Sequence, residues 1–164
     1  MPAPELKSLL AGPPRLTLAV AESMTCGLVQ ARIGAISGAS DFFLGGITAY
    51  SLEQKVRHLG VDRIAAEAVD CVSGPVAAQM ARGACALFGA DVGLATTGYA
   101  EVSARAPAPH PYGWWALVRI RPGRDPETLF GRVDCPGASR TDAQERVAGA
   151  ALAALAEWLR PAPK

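Results

Sequence analysis

The sequence predicts a three-layer α/β/α domain around a mixed, mostly parallel sheet of five strands. Three observations predict it. In the first two thirds of the chain, short apolar runs rich in β-branched residues alternate with segments of helical spacing, the pattern of parallel strands joined by helices. Later, the runs 114–120 and 128–133 flank the turn Pro122-Gly123-Arg124-Asp125-Pro126, which predicts an antiparallel hairpin. Half of the 164 residues are hydrophobic and 19% are charged, enough apolar material for the core of a single domain over 1–164. Residues 1–14 and 161–164 are expected to be peripheral to that domain.

The elements follow in order. Residues 4–11 predict a short helix, stopped by Gly12-Pro13-Pro14. Residues 16–21 read as a buried strand, followed by the polar turn Glu22-Ser23-Met24-Thr25 and a helix from 25 to 36. Residues 47–50 read as a second strand. Ser51, with Gln54 three residues on, has the spacing of a capping box for a helix that ends at Gly60. A small helix is expected over 62–68. Ser73 and Pro75 open a helix that stops at Gly89, and residues 91–96 form a third strand. Pro107, Pro109 and Pro111 make 98–112 an irregular loop. After the hairpin, apolar spacing through Val147, Ala151, Leu155 and Trp158 predicts a final helix over 141–159.

Charge and composition exclude several classes. A net charge of +1 with no long Lys or Arg run leaves no nucleic-acid footprint. Charges interrupt every apolar stretch before it reaches membrane-spanning length, so no membrane partner is expected. Met1 to Leu10 lacks the basic and apolar regions of a secretory leader. Cys26, Cys71, Cys85 and Cys135 contain no C-x-x-C pair and read as free thiols of a reducing, cytoplasmic compartment. His58 and His110 are too few and too isolated for a His-based metal site.

The turn after the first strand is where chemistry is expected. Strand, polar turn and helix start place hydroxyls at the carboxyl edge of a sheet, beside the free N–H groups of a helix N-terminus. Two readings stay open from pattern alone: Ser23 and Thr25 cap the helix, or Ser23 is a nucleophile. A nucleophilic serine needs a base, and neither histidine is well placed. Lysine serves if burial makes it neutral, and of Lys7, Lys55 and Lys164 only Lys55 lies within the folded body. It follows the second strand, whose end neighbours the first strand's turn, so Ser23, Tyr50 and Lys55 can converge. Spacing alone favours Lys55 as a solvated helix residue.

The run Ala21-Glu22-Ser23-Met24-Thr25-Cys26-Gly27 resembles the signature of the CinA C-terminal domain family. The likeness continues through Gly38-Ala39-Ser40, Phe43-Leu44-Gly45-Gly46, Ala49-Tyr50-Ser51, Lys55, Leu59-Gly60-Val61, Val72-Ser73, Gly89-Ala90-Asp91, Thr97-Gly98 and Pro136-Gly137. The resemblance implies a mixed five-stranded α/β/α fold and hydrolysis of the carboxamide of nicotinamide mononucleotide to nicotinate mononucleotide and ammonia. It places the nucleophile on Ser23, its base on Lys55 and a supporting tyrosine on Tyr50. Oxyanion donors are implied at the backbone of Thr25 to Gly27. The implied reaction needs no metal or organic cofactor. Substrate contacts are expected from Glu22, Thr25, Cys26, Gly27, Thr97 and Gly98. For Arg140 and Arg146, at the start of the final helix, two readings stay open: phosphate ligands, or solvated helix-end charges. The family also implies self-association into a homo-oligomer. With about 15 residues before the first strand, the separate N-terminal domain of longer members is not expected.

Two stretches depart from the family's pattern. Cys26 stands where the signature usually has glycine, and is expected to crowd the substrate or to disturb the turn if positive φ is required. After Thr97-Gly98 the family usually continues glycine-rich; here Tyr99 to Pro107 has no glycine and gains Glu101, whose charge opposes an anion. The alternative to an active deamidase is therefore a module that binds a nucleotide or protein without turnover, or an amidase of shifted substrate.

Overall fold

A computed structural model describes residues 3–161. Residues 162–164, expected to be peripheral, lie outside the described residues, as do residues 1 and 2. Six helices and five strands follow one another: α1 Ala3–Ala11, β1 Leu18–Glu22, α2 Leu28–Gly34, β2 Phe43–Thr48, α3 Leu52–Leu59, α4 Arg63–Glu67, α5 Gly74–Phe88, β3 Val92–Tyr99, β4 Tyr112–Arg119, β5 Glu127–Asp134 and α6 Arg140–Leu159. The strands form one sheet in the order β2-β1-β3-β4-β5. β1 pairs parallel with both β2 and β3, while β4 runs antiparallel between β3 and β5. β4 is thus the single reversed strand, and the fold is the mixed α/β/α sandwich expected.

The two faces of the sheet are packed differently, and alternation along β1 shows how. Leu18 and Val20 point to one face, where Leu6 and Leu10 of α1, Val29 and Ile33 of α2, and Leu152 and Leu155 of α6 complete a core of large side chains. Ala19 and Ala21 point to the other, against Ala77, Met80, Ala81 and Ala84 of α5 and Leu59 of the α3 end. Small residues on both sides let α5 lie close to the sheet. Residues 1–14 were expected to be peripheral; instead Leu6 and Leu10 of α1 are completely buried, because their apolar side chains join those of α2, α6 and the sheet in one core.

Other boundaries move for physical reasons. The second strand covers Phe43–Thr48 rather than 47–50, since Gly45 and Gly46 pair with Ala19 and Val20 despite lacking side chains, and Tyr50 lies just beyond it. β3 runs on to Tyr99, and β4 begins at Tyr112, so the hairpin takes in both edges of the loop expected over 98–112. Ser51 accepts from the Gln54 amide at 3.4 Å, one half of the capping box read at that position. The reciprocal box forms instead at α6, between Ser139 and Asp142.

Topology positions the site. β1, β2 and β3 all end at one edge of the sheet. β1 leads into α2 on one face, whereas β2 leads into α3, α4 and α5 on the other, so the chain switches faces beside β1. At that point the loops part and leave a crevice. The start of α6 arrives at the same edge, because β5 ends there.

Candidate active site

Glu22, the last residue of β1, is fully buried with its carboxylate turned toward α2. It accepts from the Thr25 hydroxyl (2.5 Å), the backbone N–H groups of Gly27 (3.0 Å), Val29 (3.1 Å) and Gln30 (2.9 Å), and the Gln30 side-chain amide (3.1 Å). One anion thus satisfies the orphan donors of a helix N-terminus and meets the positive end of its dipole. The N-cap residue is Gly27, which has no side chain to offer, at φ +100°. Capping by Ser23 or Thr25 is therefore corrected: Thr25 joins Glu22 and the Thr96 hydroxyl (2.7 Å), and Ser23 is left for other work.

Ser23 is 7% exposed, its N–H donating to the Thr96 carbonyl at 3.0 Å. Its Oγ lies 2.9 Å from Nζ of Lys55, which is itself only 2% exposed. The helical turn from the Ser51 cap brings Lys55 to the sheet edge, with Leu59 one turn later anchoring the same face in the core. Nζ also donates to the Tyr50 carbonyl at 2.9 Å. Burial holds the Lys55 amine below lysine's ordinary pKa, with Cys71 and Asp70 pulling it back upward to a lesser extent. Among the described residues Lys55 makes no salt bridge. A buried lysine without a salt bridge loses its proton more readily than a solvated one, which is the direction a general base requires.

These groups sit in a cleft of about 450 Å³. Ser23, Lys55, Tyr50, Thr97, Gly98 and Arg140 of the expected residues all line it. Glu22, Thr25, Cys26, Gly27 and Arg146 do not. Glu22 and Thr25 are engaged beneath the turn, and Arg146 is exposed a turn and a half further along α6. Cys26 is exposed on the outer side at φ +50°, so it does not crowd the cleft; its cost is the left-handed backbone that glycine would adopt freely. Of the expected oxyanion donors, the Cys26 N–H is bonded to the Ser23 carbonyl and the Gly27 N–H to Glu22. The N–H groups of Met24 and Thr25, next to the nucleophile, have no acceptor among the described residues. The Tyr50 ring is 54% exposed, and its hydroxyl accepts from Arg140 Nη2 at 2.9 Å, so Tyr50 touches Lys55 through its carbonyl and not its phenol.

Several lining residues were not anticipated. Asp70 and Cys71 form a turn with both residues at positive φ, +48° and +63°, held by the Thr97 hydroxyl donating to the Cys71 carbonyl at 2.8 Å. Burial raises the Cys71 thiol, which keeps it protonated beside Lys55. Asp70 accepts from the Tyr99 hydroxyl at 2.8 Å and faces Arg105 at 3.8 Å. No glycine or asparagine announces that turn, so its sequence carries no signal of it. Met24 closes the cleft floor over the Gly98–Gly113 pair of β3 and β4; a Cβ on either glycine would run into its sulfur. Among the described residues no helix is long and apolar enough to cross a membrane, and no group of three or more His, Cys, Asp or Glu comes together to hold a metal. His58 is exposed, and His110 pairs with Asp134 at 2.8 Å, away from Ser23.

Comparison with known proteins identifies the fold and the family. A family model described as "CinA C-terminal domain" matches residues 6–159. A "CinA-like protein" from Mycobacterium tuberculosis is 40% identical over 147 residues, 89% of this chain and 33% of that protein. Another from Chlorobium limicola is 49% identical over 88 residues, 54% of this chain and 20% of that protein. The chain thus spans a third or less of these curated relatives. A crystal structure of a competence-damaged protein (CinA) superfamily protein from Enterobacter cloacae superposes with a TM-score of 0.86 at 26% identity, covering 96% of this chain and 90% of that one.

Proposed function

This chain belongs to the CinA C-terminal domain family, and from that premise we propose that it is a serine amidohydrolase that converts nicotinamide mononucleotide to nicotinate mononucleotide and ammonia. The observation that carries the reading is the 2.9 Å approach of Lys55 Nζ to Ser23 Oγ, both buried, with no carboxylate in salt-bridge contact with the amine. When Lys55 is neutral, that distance lets the serine hydroxyl donate to the amine lone pair. Ser23 Oγ then attacks the carboxamide carbon as its proton passes to Nζ. The tetrahedral oxyanion is met by the unengaged N–H groups of Met24 and Thr25. As the intermediate collapses, the Lys55 ammonium returns the proton to the departing nitrogen. Ammonia leaves, and Ser23 carries the acyl group as an ester. Lys55, neutral again, takes a proton from water as the water oxygen attacks the ester. Its ammonium then returns that proton to Ser23 Oγ as the ester C–O bond breaks, and the acid leaves as the carboxylate, its proton passing to solvent. The Tyr50 carbonyl fixes the direction of Nζ throughout. The resident side chains supply each of these steps.

The test is ammonia release from nicotinamide mononucleotide by the purified protein, with Ser23→Ala and Lys55→Ala as controls. Silence of the wild type sinks the activity, and turnover that survives Ser23→Ala sinks the mechanism. A second reading, binding without turnover, is favoured by one feature: Glu101 already occupies Arg140. It predicts saturable nucleotide binding with no ammonia.

A further inference from the structure

The cleft that holds Ser23 must also hold a substrate's tail, and the arginines lining it already face acids. Besides Lys55, the cationic side chains lining the cleft are Arg105 and Arg140. Arg105 faces Asp70 at 3.8 Å. Arg140 donates to Glu101 Oε1 at 2.7 Å through Nη1 and to the Tyr50 hydroxyl at 2.9 Å through Nη2. Asp70 and Glu101 also line the cleft, so each guanidinium there has its own carboxylate. A phosphate dianion entering the cleft finds no unpaired guanidinium. It must displace Glu101 from Arg140 and then lie beside the displaced carboxylate. A ligand without phosphate pays neither penalty. A pyridinium nucleoside is moreover cationic once its phosphate is removed, and the two carboxylates suit it.

We infer that Glu101 sets substrate choice by occupying Arg140, so that the cleft prefers a carboxamide carried on a nucleoside without a phosphate over the phosphorylated nucleotide. The Glu101–Arg140–Tyr50 contact is a built-in occupant of the place where an anionic tail would bind. It is also open to competition, because the side chains of Arg140 and Glu101 are 45% and 65% exposed. The nucleotide is accordingly a weak substrate and not an excluded one. This inference rests on the amidohydrolase reading for its chemistry, but its test separates the two.

Ammonia release is measured for nicotinamide riboside and nicotinamide mononucleotide with the wild type and Glu101→Gln, which keeps the size of the side chain and removes its charge. The wild type is expected to show about a tenfold higher kcat/KM for the riboside, a discrimination worth about 1.4 kcal/mol. Glu101→Gln is expected to move the ratio about tenfold toward the nucleotide, chiefly through KM. A wild type that favours the nucleotide, or a ratio that Glu101→Gln leaves unchanged, overturns the inference. If neither compound releases ammonia, the amidohydrolase reading fails. The inference is then read from calorimetric titration of Ser23→Ala and of Ser23→Ala/Glu101→Gln with the same two compounds. Tighter riboside binding that reverses with Glu101→Gln upholds it, and equal or absent binding of both overturns it.

Discussion

The buried lysine and the exposed arginines that line one cleft handle charge in opposite ways. Lys55 is 2% exposed and donates to a hydroxyl and a carbonyl, with no salt bridge. Around the arginines, the charged side chains are roughly half exposed or more, and each guanidinium faces an acid. The difference teaches what burial does to a cation. Withheld from water and without a salt bridge, an amine holds its proton less tightly and becomes a better base. Left in water beside an anion, a guanidinium keeps its charge but loses its claim on a ligand.

The largest expected effect is at the buried pair. Ser23→Ala and Lys55→Met each lower turnover by at least roughly 10³-fold, since each removes half of a unit that works only as a pair. Lys55→Met keeps thermal stability within about 1 kcal/mol of the wild type in a denaturation series, because a buried amine is replaced by an apolar chain of similar length. A loss of several kcal/mol would mean that Lys55 is primarily structural.

Beneath the same turn, Glu22→Ala is expected to cost about 3–4 kcal/mol of stability, as buried donors at the start of α2 lose their shared acceptor. Urea unfolding measures this, and a loss below about 1 kcal/mol would show that water replaces the carboxylate at little cost.

The pH dependence has a definite sign. The folded pKa of Lys55 lies below its ordinary 10.5, so the folded protein binds fewer protons than the unfolded chain between those two values. Stability contributed by neutral Lys55 is full above the unfolded pKa and falls as pH drops through the window toward the folded one. Activity follows the same neutral amine: kcat/KM rises with pH through the lowered pKa, as a pH–rate profile would record. A profile that falls as pH rises across that range would contradict a lysine base.

Smaller effects mark the outer surfaces. Cys26→Gly is expected to stabilise by about 0.5–1 kcal/mol, because φ +50° costs a side-chain-bearing residue more than it costs glycine. Among the exposed charges, Glu101→Gln is expected to change stability by less than about 1 kcal/mol while altering substrate choice. Thermal melts distinguish both from the Glu22 substitution.

Alternation of strands and helices, the hairpin turn and the polar turn after the first strand are local patterns, and they were legible in the sequence. The parallel order of β1 and β2 made a meeting of Ser23 and Lys55 readable as one possibility, but spacing left Lys55 open to being a solvated helix residue, and only packing buried it beside the serine. The work of Glu22 was not legible. A glutamate beside a serine and a threonine looks like site chemistry until the backbone turns its carboxylate back onto the helix that follows. Nor did spacing reveal that Asp70, Cys71, Tyr99 and Arg105 line the cleft, that Tyr50 serves Lys55 through its carbonyl, or that Glu101 reaches Arg140, 39 residues away. The sequence by itself determined which elements form and which groups are available to react, since both follow from residue type and short-range period. Which groups are buried without a partner, and which are paired in water, was decided only when distant segments packed together, because desolvation and charge pairing are properties of the surroundings and not of the residue.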